Sequence, residues 1–324
     1  MILRHLKQYN ILKNNILYYI GAIAVLFCAL LVAGCTSDEE LDSTLVIDIS
    51  AADTTLYPRT NGLLSGLFDV GNETYVRFSQ GNLQYKASTN EWRLAPNQYD
   101  CVGRRNNLIS ATCNRWVDLF AWGTSGCDSN LPAYYYAYSG GNNISLNPDM
   151  LSPINLYDWG AYIAIPNAGD TSGWLQTLTS SQWYYLLNQR YLAREKRGVA
   201  QIEGVIGYML LPDSWVMPEG ATFVPDTALS TDIDTNSLHH EPFVNVYTKQ
   251  MWQKLECEGA VFLPYCGMRK GRNIIGTDQL GYYWSISHEN IMQGMCKYAR
   301  INEKITANAN WQTGMAIRLV HIEK

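Results

Sequence analysis

Tyr75-Val76-Arg77-Phe78-Ser79-Gln80-Gly81-Asn82-Leu83-Gln84-Tyr85 alternates apolar and polar residues on either side of a Gln-Gly-Asn break. Period-two alternation bounded by turn residues marks half-buried strands. Trp92-Arg93-Leu94 repeats the pattern after Ser88-Thr89-Asn90, so the stretch reads as a β-meander. Further along, Thr179-Ser180-Ser181-Gln182 has capping-box form. Trp183, Leu186, Leu187 and Tyr191 follow at helical spacing, which predicts a helix with these four on one face. A second helix is predicted from near Thr248 through Met251, Trp252 and Leu255, closed by Gly259 as a left-handed cap. Buried strands are expected at Val205 to Leu211, Ala260 to Leu263, Gly281 to Ile286 and Ala316 to Val320. Trp116 to Gly169 is crowded with Trp, Tyr and Gly without periodicity and reads as long ordered loops. Few helices and many short strands define an α+β fold.

The N-terminal side carries an address. Arg4, Lys7 and Lys13 precede an apolar stretch from Ile16 to Val32, and Ala33-Gly34 lead into Cys35, followed by Thr36-Ser37-Asp38-Glu39-Glu40. A basic start, an apolar run and small residues form a secretory signal. The arrangement resembles a bacterial lipobox. That resemblance implies cleavage before Cys35, a diacylglycerol on its sulfur and a further acyl chain on its new amino group, and several chains anchor stably. The acidic run resembles the signal that sends Bacteroidetes-type lipoproteins to the outer face of the outer membrane. An uncleaved membrane anchor is the alternative reading of the apolar stretch. The expected organisation is a signal peptide at 1–34, a lipidated polar tether at 35–61 and a domain at 62–324. The tether is rich in Ser, Thr and Asp, with one short apolar run from Leu45 to Ile49 that could form a strand.

Charge narrows the partners. The signal holds three of the 24 Lys and Arg and none of the 29 Asp and Glu, so the mature chain carries 21 cations against 29 anions, a formal charge of −8. Arg190 to Arg197 and Arg269 to Arg272 are short basic segments that read as a solvated helix face or loop. Nucleic acid, which needs clustered cations, is not an expected partner. Beyond Cys35 lie Cys101, Cys113, Cys127, Cys257, Cys266 and Cys296. Export would permit disulfides, with Cys101 and Cys113 or Cys257 and Cys266 as the local candidates, whereas buried free thiols would pack as small hydrophobes. No Cys-x-x-Cys occurs.

A set of phrases then carries a family likeness. Arg77 to Tyr85, Trp122-Gly123-Thr124-Ser125-Gly126, Leu210-Leu211-Pro212-Asp213-Ser214-Trp215, Gly259-Ala260-Val261-Phe262-Leu263-Pro264, Gly281-Tyr282-Tyr283-Trp284-Ser285 and Arg318-Leu319-Val320 stand in order. Over about residues 62 to 322 the chain resembles a group of Bacteroidetes surface lipoproteins related to the Fibrobacter major paralogous domain. That group in turn resembles the formylglycine-generating-enzyme branch of the C-type-lectin-like fold. The resemblance implies a compact core whose last strands display variable loops between Trp284 and Arg318. Tyr282, Ser285, Ser287, His288, Asn290, Lys297, Tyr298, Arg300 and Asn302 are the ligand-binding residues expected there. The family pattern has more serine after Tyr-Tyr-Trp, whereas Ile286 here separates Ser285 from Ser287. Some members of the fold are diversified by retroelements that randomise adenine-containing codons. Asn290, Asn302, Asn308, Asn310, Ser285, Ser287, His288 and Tyr298 are types such codons yield, although Asn-rich loops also arise as ordinary turns.

Catalytic chemistry finds little purchase. The enzyme branch uses a copper-binding cysteine pair near its C-terminus, and only Cys296 lies in that stretch, too few thiolates for a soft two-cysteine site. His239-His240-Glu241 places adjacent side chains on opposite sides of an extended chain, and His-Glu-x-x-His is absent. His288 and His321 stand alone. Asn147-Pro148-Asp149 reads as a turn, not a calcium loop, and Gly123-Thr124-Ser125-Gly126 lacks the nucleophile-elbow pattern. No catalytic residue, metal or cofactor is expected. Tyr134-Tyr135-Tyr136, Tyr138, Tyr282 and Tyr283 are better suited to recognition, pairing apolar area with a hydroxyl, or else pack the loops. Asp42-Ser43-Thr44, Asp53-Thr54-Thr55 and Asp226-Thr227-Ala228 resemble the Bacteroidetes O-glycosylation motif. The expected function is a non-enzymatic, lipid-anchored display module that binds a protein or glycan. A structural part of a surface assembly such as a fimbrial tip, or an enzyme with an unrecognised site, are the alternatives.

Overall fold

The structure is a computed structural model that describes residues 61–126, 131–135, 157–226, 245–290 and 294–323, all within one compact unit spanning 55–324. Its first strands are β1 (Phe68–Asp69), β2 (Tyr75–Phe78), β3 (Leu83–Lys86) and β4 (Glu91–Leu94). The short helix α1 (Trp159–Tyr162), β5 (Gln176–Thr177) and α2 (Ser180–Asn188) follow. Next come β6 (Arg197–Ile202), β7 (Val205–Leu210), β8 (Val246–Tyr247), α3 (Lys249–Cys257) and β9 (Val261–Pro264). The chain continues through β10 (Met268–Lys270), β11 (Asn273–Ile275), β12 (Tyr282–Asn290), β13 (Met295–Arg300), β14 (Ile305–Asn310) and β15 (Leu319–Glu323). Small sheets ordered β1-β2-β15-β5, β8-β6-β7-β9 and β12-β13-β14 stand beside the hairpins β3-β4 and β10-β11. Few helices beside many short strands make this an α+β protein.

The strands of the opening stretch form where the alternation places them, but their pairing corrects the meander. β2 pairs with β1 and β15, whereas β3 pairs with β4. Gln80-Gly81-Asn82 is therefore a crossing between sheets, not a hairpin turn. A Cβ on Gly81 would lie 2.4 Å from the Ala95 carbonyl oxygen, so only glycine passes there. The last strand begins at Leu319, later than expected. Met315 and Ala316 instead make single bridges to Phe120 and Tyr283.

Both expected helices exist. At α2 the Thr179 hydroxyl accepts from the Gln182 amide at 3.2 Å, and the Thr179 amide donates to Gln182 Oε1 at 2.8 Å, completing the capping box. Trp183, Leu186 and Leu187 are buried, but Tyr191 is 78% exposed. The helix ends at Asn188, and Arg190 turns inward instead, donating to the Leu186 carbonyl and to Asp213. Thr248 caps α3 through the Met251 amide. Gly259 has φ +92°, and a Cβ there would strike Gly66 Cα at 2.5 Å.

β12 and β13 divide the interior. Tyr282, Trp284, Ile286, Cys296 and Tyr298 pack into one apolar cluster, while Tyr283 and Ala299 join a second that holds α2 and β2. Strand alternation sends successive side chains to opposite faces, and here both faces are core. A third cluster forms around α3 with Trp252, Leu255 and Phe262. Arg318, wholly buried, donates to Asn82, to Gln98 and to the Phe262 carbonyl. Gln98 passes the contact on to Glu256 at 2.9 Å, so a buried cation is answered by polar groups from four segments.

Candidate functional site

The C-terminal sheet brings the expected binding residues together, but with very different exposure. Tyr282, Ser285 and Tyr298 are buried at 4%, 0% and 8% exposure. That removes them from a ligand's reach, because the first half of β12 is covered on both faces. Ser285 spends its hydroxyl on the Lys297 carbonyl at 2.7 Å. Ser287, His288, Lys297, Arg300 and Asn302 are half-buried. Asn290 ends β12, and its side chain lies outside the described residues.

The register of β12 against β13 shifts between Trp284 and His288 and again before Asn290. Ile286 sits within that irregularity. Its amide donates to the Leu178 carbonyl at 3.1 Å, and the Ser287 hydroxyl accepts from the Ser180 amide at 3.0 Å. The Ser-Ile-Ser departure thus turns this part of the strand toward the start of α2, as bulges re-aim side chains. On the far side, Lys297 pairs with Glu289 at 2.6 Å, and Arg300 pairs with Glu303 while lying 5.9 Å from the Tyr282 ring centre. The hydrogen bond from Lys297 holds the Glu289 carboxyl below its ordinary range. His288 Nδ1, Arg300 Nε and Asn302 Oδ1 are shielded yet lack a hydrogen-bond partner among the described residues. Such atoms also occur elsewhere among the described residues, on Trp159, Trp183 and Tyr265 for example, so they do not single out this sheet.

β14 forms the free edge of the sheet. Asn308 is exposed, Thr306 and Asn310 are half-buried, and Ala307 and Ala309 pack inward against the first cluster. The outward row is polar and short, and its backbone is paired on the β13 side.

A second constellation had no signal in the sequence. One ligand atom each from Cys101, Asp118 and Cys266 lie within 4.8 Å of one another. Asp118 is fully buried, its carboxylate accepting from the Val102 amide at 2.9 Å and from Asn106 Nδ2 at 2.7 Å. Burial pushes its carboxyl up to about 6 despite those bonds. Asn106 in turn accepts from the Asp118 and Leu119 amides, which fixes the strand-like segment carrying the carboxylate. Hydrogen bonding to Cys101, then burial, drives the Cys266 thiol well above its ordinary range.

The described cysteines are all free thiols, so neither local pairing, Cys101 with Cys113 or Cys257 with Cys266, is present. Cys296 is fully buried in the apolar cluster, and burial raises its thiol strongly. Thr124 and Ser125 are buried, and Thr124 caps the Ala121 carbonyl at 2.8 Å. His321 stacks on Trp174 with ring centres 3.8 Å apart. Tyr283 is core, and Tyr134 and Tyr135 pack against the first cluster. Cys35, Cys127, Tyr136, Tyr138, Asn147-Pro148-Asp149 and His239-His240-Glu241 lie outside the described residues, as does the 1–60 segment. Among the described residues no helix is long and apolar enough to cross a membrane.

No family model matches the chain, and neither a curated protein nor a solved structure matches it.

Proposed function

We propose that this protein is a cell-surface lipoprotein, anchored to the outer membrane through lipid on Cys35, whose C-terminal sheet binds a protein or glycan without catalysing a reaction. The reading takes the fold to be of the C-type-lectin-like, formylglycine-generating-enzyme-like type. One observation carries it. A single sheet joins a strand embedded in two cores to an edge strand of polar and small residues, with Asn308 exposed and the half-buried Lys297 and Arg300 on the strand beside it. Such a base holds a recognition surface steady while the surface itself can change, which would also suit diversification of Asn302, Asn308 and Asn310 codons. The acidic balance favours a protein or glycan over nucleic acid.

The test uses the ectodomain from residue 36 onward on glycan and host-protein arrays, alongside lipid labelling of the full chain. Specific retention should fall at least about tenfold, roughly 1.4 kcal/mol, in His288→Ala and Arg300→Ala. Label incorporation should vanish in Cys35→Ala. Absence of retention on every panel would count against binding. Stable co-purification with pilin-like subunits would favour a structural part of a surface assembly.

A further inference from the structure

Cys101 follows the turn after β4, where the Asn97 amide donates to Asp100 at 2.8 Å, and Cys266 opens the turn between β9 and β10. These segments are far apart in the chain, yet the two thiols meet beside the Asp118 carboxylate within 4.8 Å. Their exposure differs. Cys266 is 1% exposed, whereas Cys101 is half-buried at the margin of the second core. Asn82 Nδ2 donates to Cys266 Sγ at 3.7 Å and holds that sulfur in place.

We propose that Cys101 and Cys266 are a redox couple that closes to a disulfide, with Asp118 placed to take the Cys266 proton. A cation is the competing occupant. Tetrahedral zinc wants four ligands, whereas among the described residues this cluster supplies three, and both Asp118 oxygens already hold hydrogen bonds that fix Val102 and Asn106. The two thiols are close enough to hydrogen-bond, which brings them near the approach a disulfide requires.

The asymmetry sets the order of events. The Cys101 thiolate attacks one sulfur of a small disulfide oxidant such as glutathione disulfide, forming a mixed disulfide and releasing one thiolate. Cys266 then gives its proton to Asp118, and its sulfur attacks the Cys101 sulfur, expelling the second thiolate. Two protons and two electrons leave the pair, and the oxidant becomes two thiols. The groups that face Cys266 are Cys101, Asp118, Asp278 and Tyr283, Asp100 faces Asp118, and the Arg318 guanidinium reaches Cys266 only through Asn82. Of these, the Asp118 carboxylate is the acceptor grouped with both thiols. The inference stands apart from the binding role, because covalent linkage is read by mass whether or not any ligand is retained.

The experiment incubates the reduced ectodomain in glutathione redox buffers, quenches by alkylation and maps peptides by mass spectrometry. One linkage, Cys101 to Cys266, should appear, with the chain lighter by two hydrogens. Cys266→Ser should trap glutathione on Cys101, and Cys101→Ser should trap none on Cys266. The closing rate should rise with pH through about 6 in the wild type and lose that rise in Asp118→Asn. The wild-type mapping needs no variant to fold. Absence of the 101–266 linkage at every glutathione ratio overturns the proposal. So does a chain that retains one zinc ion and keeps both thiols unreactive until a chelator is added.

Discussion

β12 and β14 belong to the same three-stranded sheet, yet one is built as interior and the other as surface. β12 sends Tyr282, Trp284 and Ile286 into one core and Tyr283 into another, and its start is buried on both faces. β14 carries Ile-Thr-Ala-Asn-Ala-Asn, with its two alanines packed against the first core and its other residues half-buried or exposed. The two are joined through β13, whose Cys296 and Tyr298 face the first core while Lys297 pairs outward with Glu289. A sheet so divided can keep its frame while its edge changes. The difference also says where variation is tolerated, because core substitutions leave cavities while exposed ones rarely do.

Trp284 anchors the buried half of the sheet. The side chain is fully buried, and its indole donates to the Phe120 carbonyl at 2.8 Å. Trp284→Ala removes apolar area, opens a cavity and leaves the Phe120 carbonyl with the Met315 amide as its remaining donor, so a loss of about 3–5 kcal/mol is expected in urea unfolding. A loss below about 1 kcal/mol would mean that β12 is not the base of the sheet.

Much of this frame was legible in the sequence and its connectivity was not. A capping box with apolar spacing located α2, and apolar spacing closed by Gly259 located α3, because those signals are local. Pairing is non-local. Gln80-Gly81-Asn82 looks like a hairpin turn, but Asn82 serves as a buried amide that meets Cys266, Tyr283 and Arg318. Tyr191 sits at helical spacing, yet the helix stops before it and Arg190 occupies the interior position. In the C-terminal sheet the expected residues fall in one segment, but their exposure was not foreseen. The clue was present in Tyr-Tyr-Trp-Ser-Ile, where apolar residues on both parities mark a strand covered on both faces. The Cys101 and Cys266 meeting had no such clue, since cysteine spacing does not define pairing.

Asp118 sharpens the contrast by probing the buried half through pH. Burial raises its folded-state carboxyl to about 6, above an unfolded value of about 3.9. The folded state therefore binds the proton more tightly. Its contribution to stability is fully present below about pH 4 and is lost as pH rises through 6, an effect of up to about 3 kcal/mol. Asp158, also buried and raised to about 6, acts in the same direction and is common to both chains of the comparison. The stability of wild type relative to Asp118→Asn should fall steadily from pH 4 to pH 7 in parallel chemical unfolding. A flat difference would show that the carboxylate is solvated in the folded state.

The smallest effect is expected where the display reading needs it. Thr306 and Asn308 stand on the row of β14 opposite the inward alanines, with Asn308 exposed and paired in register with Lys297. Thr306→Ala and Asn308→Ser remove little buried area and no side-chain hydrogen bond among the described residues, so each should change unfolding stability by less than about 0.5 kcal/mol. Asn310 is the exception on that row, because its Oδ1 accepts from the Gln312 amide at 2.9 Å and shapes the turn that follows. Losses above about 2 kcal/mol at either Thr306 or Asn308 would make β14 part of the frame, and a surface that cannot change without unfolding its own support would be unfit to vary what it binds.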